Sequence, residues 1–244
     1  NWETYDNDLK NLFKSLDNNE EIINPFSILS LTEKANYQRI ASEIYSNYKF
    51  SKNSEININL NNNNSKLKLG YFSPDFCEHP VLHLIFDVFK NHDKSKFEIF
   101  AFSFGPKKKD KMSDKVKKYF NKFIDIREKS NKEVAMISRK IGIDIAIDLC
   151  GFTNWNRAEI FSYRAAPIQI NYLGYPGTMG TKFMDYLIAD NIVVPENQKF
   201  NYSEKVVYLP NCYQPNMTKK DISEKEITRS NQGLPNESFV FCNF

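Results

Sequence analysis

The stretch LKLGYFSPDFCEHPVLHLIFDVFK, residues 67–90, carries the pattern that decides the fold. It opens with a short apolar run, LKLGYF, which has the length and composition of a buried strand. A polar loop follows, and Pro80 then stands where a proline suits the first turn of a helix. Behind it, apolar residues recur at helical spacing, at Val81, Leu84, Ile85 and Val88. A strand, a loop and an amphipathic helix in this order begin a βαβ unit.

The same alternation of short apolar runs and helix-length segments continues to about residue 215. Further strands are predicted at FEIFAFSF, KFIDI, IDIAIDL, IQINYLG and DYLIAD, with KVVYLP as a possible seventh. Helical patterns separate the first five strands, at about 80–91, 110–121, 131–141 and 156–164. Strands that alternate with helices are typical of parallel sheets with right-handed crossovers. The sequence therefore predicts an α/β fold, a Rossmann-like parallel sheet.

Two amphipathic helices are predicted ahead of the sheet, over residues 6–17 and 32–49, with a break at Asn24-Pro25 between them. They have the character of the last unit of a helical repeat array. We divide the chain into four parts by composition and pattern. These are a helical segment at 1–50, an Asn-rich linker at 51–66, a Rossmann-like domain at 67–215, and a second linker with a final strand at 216–244.

Composition and charge narrow the class of protein. Of the 244 residues 41% are hydrophobic, which is enough apolar mass for one large core or two modest ones. The formal net charge of +3 gives no basis for binding nucleic acid or a membrane surface. No apolar run approaches the roughly 20 residues of a membrane helix. Four cysteines without a C-x-x-C pair favour free thiols in a reducing, cytoplasmic compartment over a zinc site or a disulfide framework.

The loop at residues 73–79 follows the first strand, at the edge where parallel α/β sheets bind their ligands. His79 is expected beside a helix N-terminus, whose dipole lowers the pKa of an imidazole and keeps it ready to accept a proton. Two interpretations fit: a catalytic loop, or a turn capped by Asp75 in which His79 and His83 merely pack, which is the commoner case in an arbitrary sequence. Zinc is disfavoured, because H-P-x-x-H lacks the usual glutamate and a third ligand.

A second loop of interest follows the fifth predicted strand, in INYLGYPGTMG. Gly174, Pro176, Gly177 and Gly180 allow a tight turn that brings backbone N–H groups and Thr178 close to a ligand. The spacing differs from G-x-G-x-x-G, so dinucleotide binding is not indicated. A purely structural turn explains these glycines equally well.

Two further features have an ordinary explanation beside a functional one. The lysines from Lys107 to Lys118 form a basic run that suits phosphate contacts. Asp110 and Asp114 interrupt this run on a predicted helix, which favours a solvated face. Asp148 ends a predicted buried strand at the ligand edge, where it is expected either to contact a ligand or to bond the next loop.

Several long motifs, in one order, resemble the catalytic region of the O-GlcNAc transferase family, especially its bacterial members with tetratricopeptide repeats. They are LKLGYFSPDFCEHPVLHL, IDIAIDLCGFT, RAAPIQINYLGYPGTMGTKFMDYLIAD and YSEKVVYLPNCYQPN. The stretch INPFSILSLTEKANYQRIASEIYSNYKF is similar to the segment that joins the repeats to the catalytic core. The resemblance runs from about residue 22 to Phe244.

The resemblance implies a glycosyltransferase of the GT-B fold, in which two Rossmann-like domains face each other across a cleft. This chain then holds the N-terminal domain, and FVFCNF is the first strand of the second. The family's D-F-x-x-H-P histidine, a candidate general base, corresponds to His79. Its G-Y-P-G-T loop, near the donor sugar and the acceptor, corresponds to Pro176, Gly177 and Thr178. The groups that grip the nucleotide diphosphate belong to the second domain, so the chain alone is expected to be inactive.

The implied reaction is inverting transfer of GlcNAc from UDP-GlcNAc to a Ser or Thr hydroxyl of a protein, without a metal or other cofactor. The expected partners are a sugar nucleotide and a protein acceptor, with no nucleic acid and no membrane. SPINDLY-type enzymes that use GDP-fucose are the main alternative. H-P rather than H-S, and G-Y-P-G-T rather than G-Y-P-N-T, favour the GlcNAc donor. A non-catalytic protein-binding scaffold and a GT-B-like epimerase stay open.

Overall fold

The structure, a computed structural model, describes residues 2–50, 65–107, 110–218 and 224–241. Its strands are β1 (Leu67–Ser73), β2 (Phe97–Ser103), β3 (Lys122–Asp125), β4 (Ile145–Asp148), β5 (Ile168–Asn171), β6 (Tyr186–Ala189) and β7 (Lys205–Tyr208). They form one sheet in the order β3-β2-β1-β4-β5-β6-β7, and every neighbouring pair is parallel. The predicted α/β fold, a Rossmann-like parallel sheet as in the N-terminal domain of a GT-B fold, is confirmed, and KVVYLP contains its seventh strand.

Helices precede the sheet and connect its strands. They are α1 (Tyr5–Asp17), α2 (Pro25–Ile28), α3 (Ala35–Phe50), α4 (Pro80–Asn91), α5 (Lys111–Lys117), α6 (Asn131–Ile141) and α7 (Glu159–Ser162). The first four strands are joined through α4, α5 and α6, and β4 continues to β5 through α7. A loop joins β5 to β6, and a 3-10 helix at Glu196–Asn201 lies between β6 and β7.

The end signals of α6 show why this helix matches its predicted bounds. Ser130 and Glu133 form a capping box at its start, so two otherwise unpaired backbone N–H groups are satisfied. Gly142 ends the helix with a φ of 77°, a left-handed conformation that a residue with a Cβ adopts only at a cost.

Two helices are shorter than predicted, and a tertiary contact accounts for the early end of the first. The segment predicted to be helical to residue 121 leaves the helix at Lys117, since Asn121 bonds the backbone of Ile99 through both its N–H and its side-chain oxygen. The helix predicted over 156–164 is reduced to α7. Arg164, with a φ of 58°, lies just beyond its end. The predicted break at Asn24-Pro25 begins the one-turn helix α2, which Asn24 caps.

Aromatic side chains fill the core on both faces of the sheet. On one face Phe72 and Phe102 stack with their ring centroids 4.3 Å apart, and on the other Tyr71 packs edge-on against Phe89. Helix α3 joins the first of these clusters, because Phe50 of α3 packs edge-on against Phe183. Helix α3 thus packs on the core of the sheet, while the helices ahead of the sheet also form a separate cluster of Leu16, Ile28, Ala41 and Ile44.

The predicted division of the chain into parts stays a prediction. Residues 51–64, most of the predicted Asn-rich linker, lie outside the described residues, as do residues 242–244 of the predicted final strand. Residues 239–241, which are described, are not paired with the sheet, and Phe239 and Phe241 are exposed. No helix in the described ranges is both long and apolar enough to cross a membrane.

Candidate active site

The order of the strands reverses between β1 and β4, and this reversal positions the site. From β1 the chain builds outward through β2 and β3, then crosses to the other side of β1 and continues with β4 and β5. In open parallel sheets, ligands bind outside the carboxyl ends of the strands at such a reversal. Three loops meet there: the His79 loop (residues 74–79) after β1, the Cys150 loop (residues 149–157) after β4, and the Gly177 loop (residues 172–180) after β5.

Polar bonds and close backbone packing fix the His79 loop on its neighbours. Ser73 Oγ accepts a hydrogen bond from the Asp75 N–H at 3.0 Å, and Asp110 Oδ2 accepts one from the Glu78 N–H at 2.9 Å. A Cβ on Gly105, in the loop after β2, would lie 1.7 Å from the carbonyl oxygen of Pro74. The two loops therefore approach more closely than any side chain at residue 105 would allow.

His79 is the N-cap of α4, as its place before Pro80 predicts. Its Nδ1 accepts a hydrogen bond from the Val81 N–H at 3.2 Å, and the same nitrogen lies 3.6 Å from Asp75 Oδ2. Burial raises the pKa of the Asp75 carboxyl, and the charge of His79 opposes that rise. The side chain of His79 is 41% exposed, so its ring remains accessible from the ligand edge.

The two neighbours of Nδ1 favour different forms of the imidazole. A bond from the Val81 N–H needs a lone pair on Nδ1, which in the neutral ring puts the proton on Nε2. A bond to Asp75 needs the proton on Nδ1, which frees Nε2 to accept one. In the described geometry the Val81 bond is formed, and the Asp75 distance exceeds that of a hydrogen bond.

His83 has a surface contact of its own. Its Nε2 lies 2.5 Å from Glu78 Oε1, and both side chains are well exposed. Among the described residues no group of three or more His, Cys, Asp or Glu side chains could hold a metal ion. His83 makes a hydrogen bond with Glu78 at the start of α4, while Nδ1 of His79 lies near Asp75.

The Cys150 loop begins at a buried carboxyl group. Asp148 Oδ1 accepts a hydrogen bond from the Cys150 N–H at 2.9 Å, so the expected bond to the next loop is present. Burial raises the pKa of Asp148 to about 6, although the N–H groups of Cys150 and Gly151 oppose the rise. Burial, together with the charges of Asp148 and Asp75, also raises the pKa of the Cys150 thiol, which makes it a poor nucleophile. Because the charge of Asp75 affects the pKa of Cys150, the His79 and Cys150 loops are neighbours.

The Gly177 loop is fixed by buried polar groups from both sides. Asn171 Nδ2 donates to the Gly177 carbonyl at 3.2 Å. Thr178, only 4% exposed, donates from Oγ1 to Glu204 Oε2 at 2.6 Å, and the Met179 N–H donates to Glu204 Oε1 at 2.6 Å. The side chain of Thr178 therefore points into the protein and helps to hold the loop in place.

The three predicted binding residues of the Gly177 loop thus differ in what they present to a ligand. Pro176 is exposed, whereas Gly177 and Thr178 are buried. A Cβ on Gly151 would lie 2.3 Å from Tyr175 Cβ, so the Cys150 loop packs directly against the Gly177 loop. Neighbouring groups run from His79 through Asp75 and the Cys150 loop to Tyr175, the residue before Pro176. Two strand spacings of about 4.8 Å put roughly 10 Å between the ends of β1 and β5.

Sequence reasoning missed Glu204 and Asn171, which hold the Gly177 loop. Glu204 is 4% exposed, and burial raises the pKa of its carboxyl against the opposing bonds from Thr178 and Met179. The available signal was a glutamate directly before the apolar strand KVVY, in the YSEK motif.

The basic run gives no comparable site. Asp110 caps α5 and Asp114 pairs with Lys117, while Lys108 and Lys109 lie outside the described residues.

Comparison with known proteins decides the family. A sequence model described as glycosyl transferase family 41 matches residues 36–219, which include all three loops. The chain belongs to glycosyltransferase family 41. The family 41 match confirms the resemblance to O-GlcNAc transferases that the motifs indicate.

Individual relatives of this family 41 chain agree. It is 33% identical over 231 residues to a probable UDP-N-acetylglucosamine–peptide N-acetylglucosaminyltransferase, SEC, of Arabidopsis thaliana, which covers 91% of the chain and 23% of the relative. It is 35% identical over 149 residues to the Caenorhabditis elegans UDP-N-acetylglucosamine–peptide N-acetylglucosaminyltransferase. This match covers 61% of the chain and 13% of the relative. A solved mutant of the Thermobaculum terrenum O-GlcNAc transferase superposes with a TM-score of 0.71 at 25% identity. The superposition covers 75% of the chain and 35% of the solved structure. The chain spans less than a quarter of the length of either curated relative.

Proposed function

We propose that the protein is an inverting O-glycosyltransferase that moves GlcNAc from UDP-GlcNAc to Ser or Thr hydroxyls of protein acceptors. The observation that carries this proposal is His79 at the strand-order reversal of a family 41 sheet, accessible and with its Nδ1 3.6 Å from the partly buried carboxyl group of Asp75. The names of the Arabidopsis and C. elegans relatives support the same donor and a peptide acceptor.

The proposed step uses His79 Nε2 as the proton acceptor. The acceptor hydroxyl oxygen attacks the anomeric carbon of the sugar, its proton passes to Nε2, and the bond from the anomeric carbon to the diphosphate oxygen breaks. Attack opposite the leaving group inverts the configuration. Asp75 stabilises the protonated ring through Nδ1–H, and a base positioned in this way contributes about 10²–10⁴ in rate. No metal or other cofactor takes part in this step.

We also infer that Pro176 and the backbone of the Gly177 loop contact the substrates, while the side chain of Thr178 acts from within. A cytoplasmic location is part of the proposal, supported by free thiols at Cys77, Cys150 and Cys212. The expected absence of membrane and nucleic-acid partners stays part of it too. The 244-residue chain by itself is expected not to turn over, because the diphosphate-binding groups that the family resemblance implies are not in it.

The test is sugar transfer by protein expressed from its complete reading frame, with a pooled Ser/Thr peptide library as acceptor and labelled UDP-GlcNAc and GDP-fucose offered separately. Incorporation of GlcNAc is expected, and His79→Ala should lower its rate by about 10²–10⁴. His83→Ala is the matched control, since it removes a histidine of the same helix end whose contact with Glu78 lies at the surface, and its rate should stay within about threefold.

Each outcome of this test selects one hypothesis. Fucose incorporation without GlcNAc would assign the protein to the SPINDLY-type donor. No transfer from either donor would favour a non-catalytic scaffold. Equal losses in His79→Ala and His83→Ala would remove His79 from its proposed role while leaving the donor assignment intact.

A further inference from the structure

Two buried oxygen atoms lie beneath the Gly177 loop without a hydrogen-bond partner. Among the described residues, Asp148 Oδ2 and Asn171 Oδ1 are two of only four buried side-chain atoms in this state. Their residues are 2% and 0% exposed. An unpaired acceptor in such surroundings is destabilising, because it has lost its hydrogen bonds to water and gained none in return. Two of them at one place indicate that a hydrogen atom belongs there.

The sheet register brings these residues together. Asp148 and Asn171 are the last residues of β4 and β5, and their Cα atoms are paired in the parallel ladder. Side chains at paired positions lie on the same face of a sheet, about 4.8 Å apart along the strand-to-strand direction. The carboxyl group and the carboxamide are therefore side by side, at the strand ends from which the Cys150 and Gly177 loops start.

Backbone contacts fix the orientation of both groups. Asp148 Oδ1 accepts from the Cys150 N–H at 2.9 Å, which leaves Oδ2 as the free oxygen. Asn171 Nδ2 donates to the Gly177 carbonyl at 3.2 Å. Exchanging the oxygen and nitrogen of this amide would direct Oδ1 at the Gly177 carbonyl, so rotation cannot provide a donor for Asp148. A protonated carboxyl group at Asp148 would supply the missing hydrogen.

The surroundings of Asp148 favour the protonated form. Burial raises its pKa to about 6. The ionisable groups on the elements packed around it are Cys150 on its own loop, Asp75 with His79 on the loop after β1, and Tyr175 on the Gly177 loop. Phe72, its ladder partner on β1, is apolar. Within the described ranges no lysine or arginine forms an ion pair with Asp148.

We propose that Asp148 is a positioning residue that works in its protonated form: its Oδ2–H donates to Asn171 Oδ1, and the carboxamide held in this way fixes the Gly177 carbonyl. Loss of the proton puts a carboxylate against an amide oxygen and loosens the Gly177 loop. The loop is thus tightly held at mildly acid pH and more mobile as the pH rises. Only the consequence for sugar transfer rests on the proposed function, because the contact itself is a property of the chain.

The first experiment follows the side chains of the wild-type chain directly. NMR of the 13C-labelled Asp148 carboxyl carbon and of the Asn171 side-chain NH₂ group is recorded from pH 4 to pH 8. We expect both signals to titrate together with one midpoint well above that of an ordinary aspartate. A buried water that donates to both oxygens would instead leave Asp148 ionised throughout, and an Asn171 signal without an inflection would overturn the proposal.

The second experiment measures hydrogen exchange of the backbone amides of residues 177–180, corrected for intrinsic exchange, at pH 5 and pH 7.5. In the wild type, protection should fall by roughly tenfold at the higher pH. Asp148→Asn supplies a permanent donor to Asn171 Oδ1 and keeps an acceptor for the Cys150 N–H, so its protection should stay high at both values.

The matched control is Asp144→Asn. Asp144 is also 2% exposed, but it accepts from the Lys68 N–H at the opposite end of the sheet, so this variant should keep the wild-type pH dependence of the loop. Protection that is independent of pH in the wild type, or equally dependent on pH in Asp148→Asn, would contradict the proposal. Both experiments measure the Gly177 loop in the absence of sugar transfer. This proposal can therefore fail while the proposed function holds, and the proposed function can fail while this proposal holds.

Discussion

At the scale of single residues, the protonation pattern of the His79 ring depends on which neighbour bonds to its Nδ1. Val81 and Asp75 compete for this nitrogen, at 3.2 Å and 3.6 Å. Hydrogen bonds that matter for catalysis are often long before the substrate binds. We therefore expect substrate binding to bring Asp75 and His79 together and to move the proton to Nδ1.

Asp75→Asn tests this dependence. The neutral amide no longer stabilises a proton on Nδ1, so kcat of the complete protein should fall by about 10²-fold or more with little change in KM. In the wild type, kcat/KM should fall as the pH drops through the raised pKa of Asp75, because protonation removes its charge. In Asp75→Asn the acid limb should lose this contribution and keep only the one that comes from protonation of the base itself.

The control for Asp75→Asn is Asp114→Asn, which removes a carboxylate from an exposed ion pair with Lys117. Its rate and pH profile should match the wild type. A pH–rate profile of Asp75→Asn that keeps the wild-type acid limb would assign that limb to another group.

The hydroxyl of Thr178 makes a second prediction at this scale. Thr178→Val removes the shortest hydrogen bond that Glu204 Oε2 accepts, and this loss should lower the free energy of unfolding by about 1–3 kcal/mol. The thermal midpoint Tm should fall by roughly 3–10 °C. Thr178→Ser keeps the hydroxyl and should lose about 1 kcal/mol or less. Equal Tm values for the two variants in calorimetry would show that the hydroxyl bond contributes nothing.

At the scale of elements, the loops after β4 and β5 support each other through contacts that leave no room for a methyl group. Gly151→Ala tests this packing. Gly151 has a φ of 55°, and its added Cβ would meet Tyr175 Cβ at 2.3 Å. Overpacking of this kind costs about 1–3 kcal/mol beyond the backbone strain of an alanine at positive φ.

The matched control for this substitution is Gly233→Ala. Gly233 has a similar φ of 66°, but nothing lies within 4 Å of its added Cβ. Chemical denaturation should therefore show a clearly larger loss for Gly151→Ala. Equal losses would mean that the Cys150 loop yields to accommodate the methyl group.

Prediction from sequence succeeded for most elements and failed where distant contacts intervene. The strands and α6 were predictable because their apolar periods and caps are local. The early end of α5 was not, since Asn121 bonds Ile99 on another element. Among site residues, the position of His79 before Pro80 followed from its motif. The inward turn of Thr178 did not, because Glu204 lies 26 residues further along the chain.

At the scale of the whole molecule, the helical segment forms part of the foundation of the candidate site. Ser46 of α3 donates to the Met179 carbonyl at 2.8 Å, and a Cβ on Gly180 would lie 2.5 Å from backbone atoms of α3. Tyr45 of the same helix packs edge-on against Phe152 of the Cys150 loop. The predicted boundary at residue 50 therefore separates two segments that share contacts.

Removal of residues 1–50 tests whether the sheet folds without these helices. The truncation exposes Phe152 and Phe183 and unseats the Gly177 loop, so we expect loss of cooperative thermal unfolding together with aggregation. Removal of residues 224–244 is the control. Those of its residues that are described are largely exposed, and its Tm should stay within a few degrees of the full chain. A cooperative transition in the first truncation would show that the sheet is autonomous.

The sequence by itself determined six strands and a possible seventh, the presence of helices between them and the two loops that carry the family motifs, because strand and helix periods, caps and turn glycines act over a few neighbouring residues. Tertiary structure alone decided the strand order, the burial of Thr178 against Glu204, the pairing of Asp148 with Asn171 and the seat of the Gly177 loop on α3. Each of these joins residues far apart in the chain. Sheet register and core packing, which no local pattern specifies, place them next to each other.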